Sequence, residues 1–205
     1  TVTPATLSSV NGIVARDKVY NGSTVASLDL SGAQLQGLVA GDAVLLAGAT
    51  GRFTDKNVGQ GKTVNITRLA LAGDDAANYV LASTSTSTTA NITPATLSAV
   101  NGITAQDKVY DTGTLASLNT TGAQFQGLLA GDTLTVAQAD GRFADKNVGR
   151  NKTVAISGIT LGGADAGNYV LANPTASTSA SITPATLTAV NGITAQDKVY
   201  DASTA

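Results

Sequence analysis

Apolar and polar residues alternate along this chain in short runs, the pattern of strands with one face buried. Over residues 133–136, Leu134 and Val136 alternate with Thr133 and Thr135, and ninety residues earlier Val44 and Leu46 hold the same positions, which marks both pairs as inward-facing. Further on, Val64 and Ile66 keep one phase and Leu69 and Leu71 the other, and Val154, Ile156, Ile159 and Leu161 repeat the slip. A slip of one residue inside a strand is what a bulge produces, so bulges are expected near Thr67-Arg68 and Ser157-Gly158. No stretch sustains apolar residues at a helical period, and Gly, Thr, Ser and Val interrupt every candidate helix. Asn11-Gly12, Asn101-Gly102 and Asn191-Gly192 carry the tight-hairpin signal, with a bulge or bend as the alternative for so short a first arm. Gly41-Asp42, Gly59 to Gly61 and Gly73-Asp74 read as turns. The spacing predicts about seven or eight short strands per unit, as an antiparallel β-sandwich requires.

The unit itself recurs. Thr3-Pro4-Ala5-Thr6-Leu7 returns at Thr93–Leu97 and at Thr183–Leu187, Asp17-Lys18-Val19-Tyr20 at Asp107–Tyr110 and Asp197–Tyr200, and Asp55-Lys56-Asn57-Val58-Gly59 at Asp145–Gly149. A 90-residue period without insertion is too long for one solenoid coil and fits a small domain. The division expected is a first repeat over residues 1–92, a second over 93–182 and the start of a third over 183–205. The Ser/Thr tract after Leu81 is expected to be largely strand, because Thr suits strands and no Gly loosens it. Pro94 and Pro184 then mark the interdomain joints, and each should be short and stiff because Pro fixes its own φ and biases the residue before it toward extended backbone. Stiff joints between like units make an extended rod.

Asp75-Ala76-Ala77-Asn78-Tyr79-Val80-Leu81 and Asp165-Ala166-Gly167-Asn168-Tyr169-Val170-Leu171 resemble the tyrosine corner of immunoglobulin-like domains, with Asp75, Tyr79, Asp165 and Tyr169 as its residues. Leu81 and Leu171 stand where antibody domains have a cysteine. The alternative is that Tyr79 and Tyr169 are ordinary core aromatics of another β arrangement. The fold class expected is therefore all-β, tandem immunoglobulin-like antiparallel β-sandwich domains in an extended rod.

Composition narrows the chemistry. Net charge is −2 with 42% hydrophobic and 13% charged residues, which fits a folded chain and not a basic nucleic-acid binder. There is no Cys, Met, Trp or His, and all fourteen acidic residues are Asp. Without His, Cys or Glu no nucleophile is paired with a plausible base, so no enzyme activity and no catalytic residues are expected. No cofactor is expected either. Asp42 and Asp74-Asp75 lie on turns as solvated carboxylates or, alternatively, as oxygen ligands for calcium, although their spacing is not that of an EF-hand loop and Ala164 replaces Asp74 in the second copy. A Lys62 to Asn78 isopeptide bond is a further, remote alternative. Most of the eight aromatic rings are needed inside, which weakens a sugar-binding reading. No apolar run is long enough to span a membrane.

Taken in order, Thr-Pro-Ala-Thr-Leu, Asp-Lys-Val-Tyr, Leu-x-Ala-Gly-Asp, Asp-Lys-Asn-Val-Gly, Asp-Ala-x-Asn-Tyr-x-Leu and Ile-Thr-Pro resemble the YDG-type and related MBG-like β-rich repeats of large bacterial surface exoproteins, the filamentous-haemagglutinin-like adhesins among them. The name-giving tripeptide is imperfect here, as Tyr20-Asn21-Gly22, Tyr110-Asp111-Thr112-Gly113 and Tyr200-Asp201-Ala202. The resemblance implies extracellular stalk domains on a bacterial surface or in a secreted matrix, and supplies no catalytic or ligand-binding residue. The expected function is a structural spacer in a secreted adhesin. The alternatives are a filament-forming biofilm matrix protein and, behind both, a weak carbohydrate-binding module. Expected partners are neighbouring repeats, with other copies of the protein or surface glycans beyond them. Leu187, Val190, Ile193 and Val199 of the third copy lack the strands that would cover them, so the segment either belongs to a longer chain or borrows a surface from a neighbour.

Overall fold

The computed structural model describes residues 2–203, and those residues form an all-β chain of two tandem repeats. The first repeat contains β1 (Ala5–Leu7), β2 (Ser9–Asn11), β3 (Val14–Ala15), β4 (Lys18–Val19), β5 (Val25–Ala26), β6 (Leu28–Asp29), β7 (Gln34–Gln36), β8 (Leu45–Phe53), β9 (Gly59–Ala72), a 3-10 turn over Ala76–Asn78, β10 (Tyr79–Leu81) and β11 (Thr86–Thr93). The second reproduces it as β12 (Ala95–Leu97), β13 (Ala99–Asn101), β14 (Thr104–Ala105), β15 (Lys108–Val109), β16 (Leu115–Ala116), β17 (Leu118–Asn119), β18 (Gln124–Gln126), β19 (Thr135–Phe143), β20 (Gly149–Gly162), a 3-10 turn over Ala166–Asn168, β21 (Tyr169–Leu171) and β22 (Ala176–Thr183).

Each repeat is built on a five-stranded sheet, in the order β4-β11-β9-β8-β5 in the first and β15-β22-β20-β19-β16 in the second. Three two-stranded ribbons, β1-β10, β2-β7 and β3-β6, supply the facing layer. The long hairpin is the spine. In β9 the alternation drives Val64 and Ile66 fully inward, and Leu69 is buried as well, one position out of phase. The register places Gly48 opposite Ala70 and Thr50 opposite Thr67, so β9 carries the extra residue that the phase slip called for. Arg68 sits at that bulge with φ +59°, and Gly158 fills the same place in the second repeat with φ +64°. A left-handed non-glycine residue costs roughly 1–2 kcal/mol, so the second repeat has the more relaxed bulge.

Two features depart from a plain antiparallel meander. β1 pairs parallel with β10 and β4 parallel with β11, each joining segments from opposite ends of the repeat. Asn11-Gly12 is a bend and not a tight hairpin, because β2 pairs with β7 and not with β3. Gly12 has φ +77°, and a Cβ there would run into the Gly32 carbonyl, so both conformation and space demand glycine.

The core is aliphatic. Val10, Ile13, Ala15 and Ala26 pack with Leu46, Phe53, Val64, Ile66, Ala90 and Ile92, and Val100, Ile103, Ile156 and Ile159 reproduce part of this in the second repeat. Leu97, Leu134 and Tyr169 of the second repeat belong to the first repeat's cluster, so the apolar interior runs through the boundary between them. Because β8 and β9 form an antiparallel hairpin, the turns near residues 39–43 and 73–79 lie at one end of the sheet, here called the head. The loop over residues 54–58 and the exit of β11 lie at the other, the tail. Nine residues of β8 separate them by about 30 Å.

After β22 the described residues 184–203 form no strand, and Leu187, Val190, Ile193 and Val199 are exposed. Ile66 and Ile156 are almost fully buried at the centre of each hairpin. Truncating either to Ala is expected to cost about 2–5 kcal/mol in chemical denaturation, with similar losses at the two sites if the cores are equivalent.

Candidate functional site: the joint between the repeats

The tail of the first repeat is shaped by its own polar residues. Asp17 Oδ1 accepts the Asn91 backbone N–H at 2.7 Å and Oδ2 its side-chain amide at 2.8 Å, which pins the segment before β4 against β11. These two bonds hold the Asp17 carboxyl below its ordinary range. The Tyr20 N–H reaches the Thr93 carbonyl at 2.8 Å. Lys18 folds back to donate to Asn21 Oδ1 at 2.9 Å and to the Val25 carbonyl at 3.1 Å. In the neighbouring loop Asp55 Oδ1 accepts the Asn57 N–H at 2.8 Å and the Lys62 ammonium at 2.7 Å. These bonds fix the loop and leave Tyr20, Lys56 and Val58 to meet the second repeat.

The head of the second repeat is braced in the same manner. Asp165 Oδ2 accepts the Thr133 N–H at 2.8 Å. The Tyr169 hydroxyl accepts the Leu129 N–H at 3.2 Å and donates to Asp132 Oδ2 at 2.7 Å.

Asp132 is the centre of the joint. Its side chain is 4% exposed, and Oδ1 accepts Lys56 Nζ at 2.7 Å. Its Oδ2 takes the Tyr20 hydroxyl at 2.8 Å as well as that of Tyr169. Lys56 Nζ also lies 3.5 Å from Asp165 and 5.7 Å from the centre of the Tyr20 ring. The Tyr20 and Tyr169 rings meet edge to face, 5.5 Å apart at 75°, a favoured aromatic geometry. Beside them Asn168, itself buried, accepts the Val58 N–H at 2.9 Å and donates to Asn57 Oδ1 at 3.2 Å.

The electrostatics follow from this arrangement. The Lys56 ammonium holds the Asp132 carboxyl below its usual range despite burial, and the bond to Asp132 raises Lys56 well above an ordinary lysine. Burial pushes the Tyr169 hydroxyl up to about 12, with the adjacent carboxylate adding to it. Tyr20 is raised by burial too. A buried carboxylate with every partner in place confers geometric definition more than net stability, whereas removing one partner leaves charge uncompensated.

Tyr79 and Tyr169 are buried, but their hydroxyls pass over the turn immediately before them. They bond instead across the head, Tyr79 to Asp42 at 2.5 Å and to the Val39 N–H at 3.2 Å. Asp75, like Asp165, ties down the opposite turn, through the Ala43 N–H at 2.8 Å. Asp42 and Asp75 are thus structural acceptors, not merely solvated turn carboxylates. Pro94 is the single residue between β11 and β12, and Pro184 follows β22 and is exposed. Lys62 and Asn78 are not brought together. Lys62 pairs with Asp55 at the tail, whereas Asn78 lies at the head. The residues that local reading passed over are Tyr20, Lys56, Asp132 and Asn168. Their signal was recurrence at the 90-residue period in positions with no strand alternation to explain them.

A family model described as YDG domain matches residues 3–88 and again residues 93–178. No curated protein and no solved structure matches the chain.

The joint is expected to depend on pH at both extremes. Asp132 titrates below its unfolded value, so its contribution is present above about pH 4 and is lost as the pH falls through the folded pKa. Tyr169 titrates above its unfolded value, so its contribution is full below about pH 10 and is lost as the pH rises toward 12. Tyr169→Phe should destabilise the second repeat by about 1 kcal/mol, because Asp132 keeps Lys56 and Tyr20. Melting curves across pH test this, and Tyr169→Phe should flatten the alkaline limb.

Proposed function

Because the chain belongs to the YDG domain family, with one match to each of its two repeats, we propose that it is a non-enzymatic structural spacer, the stalk of a secreted bacterial surface adhesin. The observation that carries this reading is the joint. A spacer must hold its units in a fixed relation, and here one residue of linker, Pro94, is backed by a buried carboxylate with three donors and by an apolar core continuous across the boundary. Interdomain contacts that are small and polar usually permit relative motion. This one is closed by Lys56 and Tyr20, which reach across the boundary to a carboxylate of the other repeat. The bacterial-surface setting rests on the resemblance of the recurrent blocks to exoprotein repeats.

The distribution of aromatic rings supports a spacer over a sugar-binding module. Tyr20, Phe53, Tyr79, Phe143 and Tyr169 are buried, Phe125 and Tyr110 are half-buried against the core, and the one exposed ring among the described residues is Tyr200, beyond β22. The groove along Ala116, Leu118, Val136 and Asp140 presents no ring on which a sugar would stack.

A rigid joint has a direct signature. With no native cysteine, spin labels at Ala47→Cys and Ala137→Cys, exposed and equivalent positions of the two repeats, report one distance. Pulsed dipolar spectroscopy is expected to give a single narrow distribution that broadens several-fold when Lys56→Ala and Asn168→Ala are added. A broad distribution in the otherwise unaltered chain would overturn the spacer reading.

A further inference from the structure

The joint has two halves, and each repeat carries both. The tail half is Tyr20, Lys56, Asn57 and Val58, and the second repeat has Tyr110, Lys146, Asn147 and Val148 in the same places. The head half is Leu129, Asp132, Asp165, Asn168 and Tyr169, and the first repeat has Val39, Asp42, Asp75, Asn78 and Tyr79. One tail and one head therefore face no repeat among the described residues.

Both unpaired halves already have the conformation of the joined ones. At the free tail Asp145 accepts the Asn147 N–H at 2.8 Å and Lys152 at 2.5 Å, and the Tyr110 N–H reaches the Thr183 carbonyl at 2.9 Å. At the free head Tyr79 bonds Asp42 and Asp75 caps Ala43, as Tyr169 and Asp165 do in the joint. What differs is cover. Val148 is 51% exposed where Val58 is half-buried, and Asn78 is exposed where Asn168 is 5% exposed. Val39, at the position of half-buried Leu129, is 58% exposed. A surface organised before it binds loses little ordering entropy on docking.

We infer that the tail of one chain docks on the head of a second copy, Lys146 entering between Asp42 and Asp75, Tyr110 meeting Tyr79, and Asn78 taking the Val148 N–H. The occupant is set by charge and shape together. A lysine beside a tyrosine fits a paired-carboxylate head, and the joint within the chain is a worked instance of that fit. Docking breaks no ladder, since residues 2–4 and 184–203, which flank the contact, lie in no strand. The inference rests on the joint's geometry, and it survives or fails independently of the spacer reading, whose test concerns motion inside one chain.

Between chains the docking lacks the linker, whose effective concentration is roughly millimolar when short, so association is expected at high protein concentration. Sedimentation velocity of the 205-residue chain, from about 10 μM to about 1 mM, should show mass growing with concentration. Lys146→Asp and Val148→Asp, both at exposed positions, should each move the onset at least tenfold higher. Asp42→Lys should do the same alone, and an equimolar mixture of Asp42→Lys with Lys146→Asp should recover association, because each tail then meets a head of opposite charge. Asp42 also supports Tyr79, so Val39→Lys provides a head variant that leaves that bond intact and repels the incoming lysine. A wild-type mass constant over the whole range overturns the inference. So does wild-type association by Lys146→Asp, or by Val39→Lys.

Discussion

A carboxylate removed from water must be answered in full, and the structure around Asp132 is arranged to do so. Neither repeat alone supplies all three of its donors. Tyr169 comes from its own repeat, and Lys56 and Tyr20 come from the other. Losing the lysine would leave a buried charge uncompensated, a steeper loss than that of either hydroxyl. The contact therefore defines how the two repeats meet more than it adds to their stability. Much of the surrounding detail serves this requirement. Asp55 shapes the loop that delivers Lys56, Asp17 fastens the segment that delivers Tyr20, and Asp165 braces the turn that carries Asp132.

The recurrent motifs and the strands divide the work. The blocks that return at 90 residues with the least change, Asp-Lys-Val-Tyr, Asp-Lys-Asn-Val-Gly and Asp-Ala-x-Asn-Tyr, lie at the ends of the sheet, where one repeat touches the next. The strands between them tolerate exchanges such as Thr67 for Ser157 and Leu69 for Ile159, because any residue of suitable size and polarity maintains the pattern. A joint that must close against a copy of its own repeat has no such latitude, since tail and head have to match each other.

The long hairpin was legible because its information is local. Val64, Ile66 and Leu69 alternate, slip and resume within a few residues, and the bulge follows from that slip alone. The parallel pairing of β1 with β10 was not legible, since nothing in Ala5-Thr6-Leu7 points to Tyr79-Val80-Leu81. Asn11-Gly12 looked like a hairpin because its dipeptide fits one, yet the partner of β2 is β7, and only the tertiary arrangement decides that. Tyr79 and Tyr169 were recognisable as buried anchors, whereas their acceptors were not, because Asp42 and Asp132 stand on Gly-flanked turns that resemble solvated loops. Lys56 was hidden by its own loop, where a lysine between Asp and Asn reads as surface.

The way the chain leaves each repeat bears on how it would carry tension. β11 runs to the tail and ends one residue short of the next repeat, flanked by β9 on one side and β4 on the other. A pull transmitted through Pro94 therefore acts along the strand itself, and the ladder bonds to both neighbours resist together in shear and do not open one after another. Under such loading the lifetime of a fold follows its unfolding rate and not its equilibrium stability. A repeat with a modest aliphatic core can then be durable in the direction that matters while remaining only marginally stable in a melting experiment.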